Sequence, residues 1–231
     1  MAAVTPAGGL ISLLLGTVLL RLVATGVYGR YVRVGMGPWL AVAGATVVVL
    51  GLATLLRSLR HAPPPDAHDH RGRGEGDRVG WLLLAPVAAL LLVAPPTLGS
   101  YGVDRGARVD VRPGRAVFAP LRPGAEPARM TLLEFGQRAF DHDGASFNGA
   151  AVRLTGFVAG AERGGFRLAR YQIACCAADA TPVVLRVLGV RTPARDRWVT
   201  VTGTFQPGGG ELPVLAASNV VEVQAPRDPY E

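Results

Sequence analysis

Two adjacent cysteines, Cys175 and Cys176, and the nearby Asp179 are the residues of this sequence best suited to chemistry. Thiolate and carboxylate groups bind zinc and related cations. If residues 166–175 form an extended strand, successive side chains point to opposite faces, so the two thiols would not reach the same ion. This pattern predicts a structural role for Cys175. For Cys176, close to Asp179, it predicts a metal contact or exposed thiol chemistry.

A second group of candidate metal ligands lies in the polar segment 57–78. His61, Asp66, His68 and His70 occur there within ten residues. Imidazole and carboxylate groups suit Zn²⁺, and two histidines in a pliable loop are able to chelate one ion together. The alternative is a solvated polar loop, because the segment is rich in proline, glycine and charge. Both groups of residues suggest Zn²⁺, and neither suggests another cofactor.

Three apolar runs occupy the first hundred residues, at about 10–28, 38–56 and 80–98. Each is long enough to cross a hydrocarbon core of about 30 Å as a helix, which predicts three transmembrane spans. A cleaved signal peptide is disfavoured because no basic residue precedes the first run. Arg21 is the one charge inside these runs. Its side chain either snorkels to the interface or pairs with an acid of a partner protein.

The positive charge of the chain belongs mainly to its N-terminal half. All 24 basic residues are arginine, and the net charge is +7. Residues 1–127 carry 13 arginines against seven acidic residues, whereas residues 128–231 carry 11 against ten. A nearly neutral C-terminal region disfavours nucleic-acid binding. The arginines on the two sides of the spans nearly balance. The positive-inside rule gives more weight to short loops than to long domains, which translocate regardless of charge. We therefore expect the loop 57–78 in the cytoplasm and the C-terminal domain outside it.

The C-terminal region alternates between apolar and polar residues in a way that is typical of strands. A short helix is predicted at 130–140. Five strands are predicted at 151–159, 166–175, 183–190, 198–205 and 212–223. Within the second strand the apolar phase switches, which predicts a bulge near Ala169 and Arg170. Five short strands with internal glycines favour an OB-fold, a small Greek-key barrel.

The predicted fold class is therefore an α+β membrane protein, in which three transmembrane helices precede a small five-stranded OB-like β-barrel. The transmembrane region would occupy residues 1–100, a linker residues 101–127, and the soluble domain residues 128–231.

Several stretches together resemble the YcgQ-like family of bacterial membrane proteins, which are regarded as permease subunits. They are YVRVGMGPWL, GAAVRLTGFVAG, FRLARYQIACCAADATPVVLRV, RWVTVTGTF and PRDPYE. The resemblance implies an accessory role beside a larger multi-spanning permease, with a link to metal-ion homeostasis. The residues that match the family's signature are Cys175, Cys176, Ala178 and Asp179. The resemblance supplies no catalytic residues.

The sequence thus predicts an accessory subunit of a membrane permease, located as a multi-pass protein in the bacterial inner or plasma membrane. Its expected partners are the permease and the lipid bilayer, with no nucleic acid. The alternative is a stand-alone metal-binding or thiol-active membrane protein. No GxSxG, HExxH or P-loop pattern occurs in the chain, so we expect no enzymatic activity.

Overall fold

A computed structural model of the chain describes residues 6–60, 98–104, 118–124, 126–208 and 210–231. The chain divides into two compact units, Met1–Pro96 and Thr97–Glu231, and each is described by itself. The predictions for the third span (apart from Leu98), for the histidine-bearing loop beyond Arg60 and for much of the linker lie outside the described residues.

The first unit contains two apolar helices, α1 (Pro6–Ala24) and α2 (Gly37–Arg60). Helix α1 ends earlier than the predicted span at 10–28, because Gly26 adopts a left-handed backbone with φ 72°. Two short 3₁₀ turns, Val27–Arg30 and Val34–Met36, complete the connection to α2.

Glycines allow the backbones of α1 and α2 to approach closely. A Cβ atom placed on Gly16 would lie 2.9 Å from the carbonyl oxygen of Gly44. One placed on Gly51 would lie 2.9 Å from the carbonyl oxygen of Gly9. Gly16 faces Gly44, whereas the earlier Gly9 faces the later Gly51, so the two helices are antiparallel. Larger residues at these positions would push the helices apart.

One described helix is long and apolar enough to cross a membrane. It comprises the second 3₁₀ turn and α2, Val34–Arg60 (27 residues), and an 18-residue window within it has a mean hydropathy of 2.2 and is 11% buried. The apolar segment Gly8–Ala24 of α1 is shorter. By length and composition alone, the helix Val34–Arg60 indicates membrane association. The described residues thus provide one candidate span where the sequence predicts three, and the multi-pass arrangement stays a prediction.

The second unit is a mixed α+β domain with a six-stranded sheet. Its helices are α3 (Ser100–Val103) and α4 (Leu132–Phe140), with 3₁₀ helices at His142–Phe147 and Ala177–Asp179. Its strands are β1 (Ala128–Arg129), β2 (Ala151–Glu162), β3 (Gly165–Gln172), β4 (Thr181–Leu188), β5 (Trp198–Gln206) and β6 (Val214–Glu222). The predicted helix at 130–140 and the five predicted strands are confirmed with shifted ends. The two-residue β1 is a sixth strand, too short for any alternation to reveal.

The strand order is β1-β2-β3-β4-β6-β5, and β2 also pairs with β5. The pairs β1–β2 and β4–β6 are parallel, and the others are antiparallel. Each of the five longer strands therefore has at least two neighbouring strands among the described residues, and β2 has three.

Strand β3 is buried on both faces, which explains its switch of apolar phase. Phe166 and Leu168 belong to one buried cluster, whereas Ala169 and Tyr171 belong to a second one. The pairing of β3 with β4 is unbroken throughout the strand. The predicted bulge near Ala169 and Arg170 is wrong: the irregularity lies in the neighbouring β2, at Ala159 between Val158 and Gly160.

The segment 228–231 fixes the end of β3, from which the cysteines follow. Tyr230 forms a parallel bridge with Tyr171. The N–H of Glu231 donates to the carbonyl of Tyr171 at 2.9 Å, and the N–H of Ile173 donates to a main-chain oxygen of Glu231 at 3.3 Å. The chain leaving β3 is thus held by main-chain hydrogen bonds up to two residues before Cys175.

Candidate metal centre

The two cysteines lie in a turn rather than in a strand. Strand β3 ends at Gln172, and the chain bends before the 3₁₀ helix Ala177–Asp179. The alternation of an extended strand therefore does not apply to the cysteines. The ligand atoms of Cys175, Cys176 and Asp179 all lie within 4.8 Å of one another. The expectation that the thiols point to opposite faces is wrong, because the strand stops three residues before Cys175.

Asp179 organises this turn through its backbone contacts. Its carboxylate accepts hydrogen bonds from the N–H groups of Ala174 at 3.0 Å, Cys175 at 2.9 Å and Cys176 at 3.3 Å. In return, the side chain of Cys176 accepts from the N–H of Asp179. This is a capping box, the reciprocal arrangement that satisfies free N–H groups at the start of a helix. The turn forms because Cys176 and Asp179, three residues apart, each have a side chain that accepts a hydrogen bond from the backbone N–H of the other.

The carboxylate of Asp179 and the thiol of Cys175 change each other's acidity. The hydrogen bond donated by the Cys175 thiol and the hydrogen bonds from the three backbone N–H groups together lower the pKa of Asp179 to about 2. The same contact with Asp179, followed by a hydrogen bond with Cys176, raises the pKa of Cys175 to about 11. At neutral pH the turn therefore presents an ionised carboxylate with a thiol proton pointed at it.

Two sulfur atoms and one carboxylate oxygen form a ligand set for Zn²⁺ or another thiophilic cation. Ca²⁺ and Mg²⁺ prefer oxygen ligands alone and fit this set poorly. Cys175 is exposed and Cys176 is partly exposed. Among the described residues, no other group of three such side chains comes together. Three protein ligands leave one position of a tetrahedral site for water or another molecule.

Small residues surround this centre. Ala174 and Ala178 are exposed, and Ala177 and Ala180 are half-buried. A methyl group at each of these positions leaves the thiols accessible from solvent.

The other predicted site residues are placed as follows. Arg21 is exposed in the last turn of α1, a position near a helix end that suits snorkelling. His61, Asp66, His68 and His70 lie outside the described residues, so their metal binding stays a prediction.

Sequence reasoning missed the convergence of Cys175 with Cys176 and the anchoring role of Asp179. The available signal was the spacing, because an acidic residue three positions after a capping residue is typical of a helix start. Reading the segment as strand concealed that signal.

The fold and the site define a class: a mixed α+β domain with an exposed cluster of two thiols and a carboxylate, in a chain that also has an apolar helix pair. More particularly, a DUF1980 C-terminal domain, from a family of uncharacterised proteins, is found at residues 137–231. This region contains β2 to β6, both cysteines and Asp179. A search of curated proteins found no significant match. The permease role implied by the YcgQ-like resemblance stays a prediction.

Proposed function

We propose that this chain is a membrane-attached metal-binding protein whose C-terminal domain holds one Zn²⁺ or similar thiophilic cation. The ligands are Cys175, Cys176 and Asp179. One observation carries this proposal: the three ligand atoms lie within 4.8 Å of one another in an exposed turn. The proposed role is binding and not catalysis. Thiol chemistry at Cys176 is the alternative, whereas Cys175 is a poor nucleophile because its raised pKa of about 11 leaves little thiolate at neutral pH.

The proposed architecture keeps the OB-like barrel, the three spans and the extracytoplasmic C-terminal domain that the sequence predicts. The cyclic pairing order β2-β3-β4-β6-β5 supports an OB-like barrel. Three spans, at about 10–28, 38–56 and 80–98, would anchor this domain in a bacterial plasma membrane. The C-terminal domain would lie outside the cytoplasm.

Metal stoichiometry tests the binding proposal. The full chain, purified in detergent and equilibrated with Zn²⁺, is compared with a variant carrying Cys175→Ser and Cys176→Ser. The variant should bind one Zn²⁺ fewer per chain, because the serine hydroxyls do not replace two thiolates. His142→Ala is the matched control, since His142 is an exposed potential ligand outside the cluster. Equal stoichiometry in the double variant and the parent chain would disprove the proposal.

A second candidate function, as an accessory subunit of a permease, is favoured by the apolar surface of α2. Trp39 is 72% exposed, and Val42, Val49 and Leu50 are each at least 60% exposed. Such a surface is typical of a helix that faces lipid or other membrane helices, which include the proposed third span of this chain and the helices of a partner.

Co-purification tests this second candidate. The chain is co-expressed with the multi-spanning permease that the resemblance implies, and the two are co-eluted in detergent. Trp39→Ala combined with Leu50→Ala should weaken co-elution, whereas Val221→Ala, an exposed residue of β6, should not. Independent elution of the two unaltered proteins would argue against a subunit role.

A further inference from the structure

The metal centre has the coordination of an exchangeable site. Structural zinc sites are closed by four protein ligands, whereas this turn brings together three among the described residues. One of the three is a carboxylate oxygen, which is a poorer ligand for a soft cation than a thiolate. The open position and the carboxylate are the two points at which an incoming ligand is able to attack.

The turn is also held in place without a cation. Asp179 binds three backbone N–H groups, and the side chain of Cys176 accepts from the N–H of Asp179. The chain before the turn is fixed by the main-chain hydrogen bond between Ile173 and Glu231. Loss of the cation therefore leaves the turn folded, unlike in domains whose folding depends on the metal.

Access to the centre is unobstructed by large side chains of the turn. Ala174 and Ala178 are exposed, and Asp179 is itself exposed on the same turn. An acceptor molecule is therefore able to bring its ligands to the cation while Cys175 and Cys176 still hold it.

We propose that this centre is a transfer site, which passes its cation to an acceptor that presents thiolate ligands. This inference rests on the proposed metal-binding function and adds the class of acceptor. A thiol of the acceptor loses its proton, and its sulfur bonds to the cation in place of water. The bond from the cation to Asp179 breaks, and then the bond to Cys175, whose sulfur gains a proton. A second acceptor thiol displaces Cys176 in the same manner, so two protons change places and no electron moves.

Cobalt provides the probe for this transfer. Because the chain has two cysteines only, absorption from sulfur-to-Co²⁺ charge transfer reports this centre. The full chain in detergent is loaded with Co²⁺ and mixed with increasing dithiothreitol, and the decay of the protein band is followed by stopped flow. The decay rate should rise in proportion to the dithiol concentration. Iminodiacetate, which has carboxylates but no thiol, should remove cobalt more slowly at the same concentration.

A variant with a blocked approach sharpens the test. Ala178→Trp should keep the charge-transfer band and slow the dithiol reaction several-fold, whereas Ala178→Ser should react as the parent chain does. A decay rate independent of dithiol concentration, faster removal by iminodiacetate, or an unslowed Ala178→Trp variant would each overturn the transfer proposal. Absence of the charge-transfer band in the loaded parent chain would instead overturn the metal-binding function on which it rests.

Discussion

Asp179 and Cys175 are joined twice, once through the backbone and once through the side chains. The carboxylate accepts the N–H of Cys175 at 2.9 Å, and the Cys175 thiol donates to the same carboxylate. The residue that shapes the turn is therefore also the residue that controls the acidity of its most exposed thiol. Metal binding would break the thiol contact and keep the backbone contact, so the turn would keep its shape while a proton leaves.

Replacing Asp179 should weaken metal binding. Asp179→Ala removes a ligand and the acceptor of three backbone N–H groups, so we expect the affinity for Zn²⁺ to fall by at least roughly 10–100-fold. Asp179→Asn, which keeps one acceptor oxygen, should lose less. Competition with a chromophoric chelator measures both affinities. Asp143→Ala, at an exposed acid outside the cluster, is the control. An Asp179→Ala variant with the parent affinity would contradict the assigned role.

Metal affinity should fall as the pH falls. The pKa of Cys175 is raised to about 11, so its proton is present at neutral pH and must leave when a cation binds. The pKa of Asp179 is lowered to about 2, so this carboxylate stays ionised and adds no pH dependence near neutrality. Each displaced proton changes the affinity about tenfold per pH unit. Titrations with Zn²⁺ between about pH 6 and 8 measure this slope. A flat profile would exclude Cys175 as a ligand.

The carboxylate of Glu231 should stabilise the C-terminal domain. It accepts from the N–H groups of Leu132 at 2.9 Å and Leu133 at 3.2 Å, at the first turn of α4. Glu231→Ala removes this cap and should lower the free energy of unfolding by about 0.5–2 kcal/mol. Glu231→Gln should be milder, because its amide oxygen is still able to accept. Thermal unfolding of the full chain in detergent compares these variants, with exposed Glu222→Ala as the control.

Stability should depend on pH through the burial of Glu231, which outweighs the opposite effect of the capping hydrogen bonds on its pKa. Burial raises the pKa of Glu231 above its usual value, so the folded state binds the proton more tightly than the unfolded state. The contribution of this group to stability is therefore present below its unfolded pKa and declines as the pH rises through its raised, folded pKa. Glu231→Gln should remove that decline. A parent chain and a Glu231→Gln variant with parallel stability profiles across this range would refute the linkage.

The close contact of α1 with α2 should depend on Gly16. Its absent side chain leaves room for the backbone of α2, so Gly16→Leu should destabilise the helix pair by about 1–3 kcal/mol. Gly35→Ala is the matched control, because a Cβ there would meet nothing within 4 Å. The midpoint of thermal unfolding in detergent should fall for the first variant and hold for the second. Equal midpoints would show that the helices do not pack closely.

Sequence patterns predict the elements that bury one face and expose the other. Helix α4 and the strands β2 and β5 are of this kind, so the predicted positions agree with the structure within a few residues. The prediction fails for a strand whose second face is covered by another part of the chain. The phase switch in β3 arises because Tyr171 packs in a second cluster with Tyr230, which lies far along the sequence. No local pattern distinguishes that burial from a bulge.

The same limit applies to the candidate site. The sequence indicated Cys176 and Asp179 as candidate metal ligands and assigned Cys175 a structural role, and it did not show that the three side chains converge. Convergence depends on where β3 ends, and that end coincides with the docking of segment 228–231 beside Tyr171 and Ile173.

X-ray absorption at the zinc edge, on the full chain loaded with one equivalent of Zn²⁺, tests the central claim most directly. We predict two sulfur scatterers at about 2.3 Å, with the remaining positions filled by oxygen at about 2.0–2.2 Å. The sulfur contribution should vanish in the double variant with Cys175→Ser and Cys176→Ser. A first shell of nitrogen and oxygen alone in the parent chain would contradict the assignment of the metal to the turn between β3 and β4.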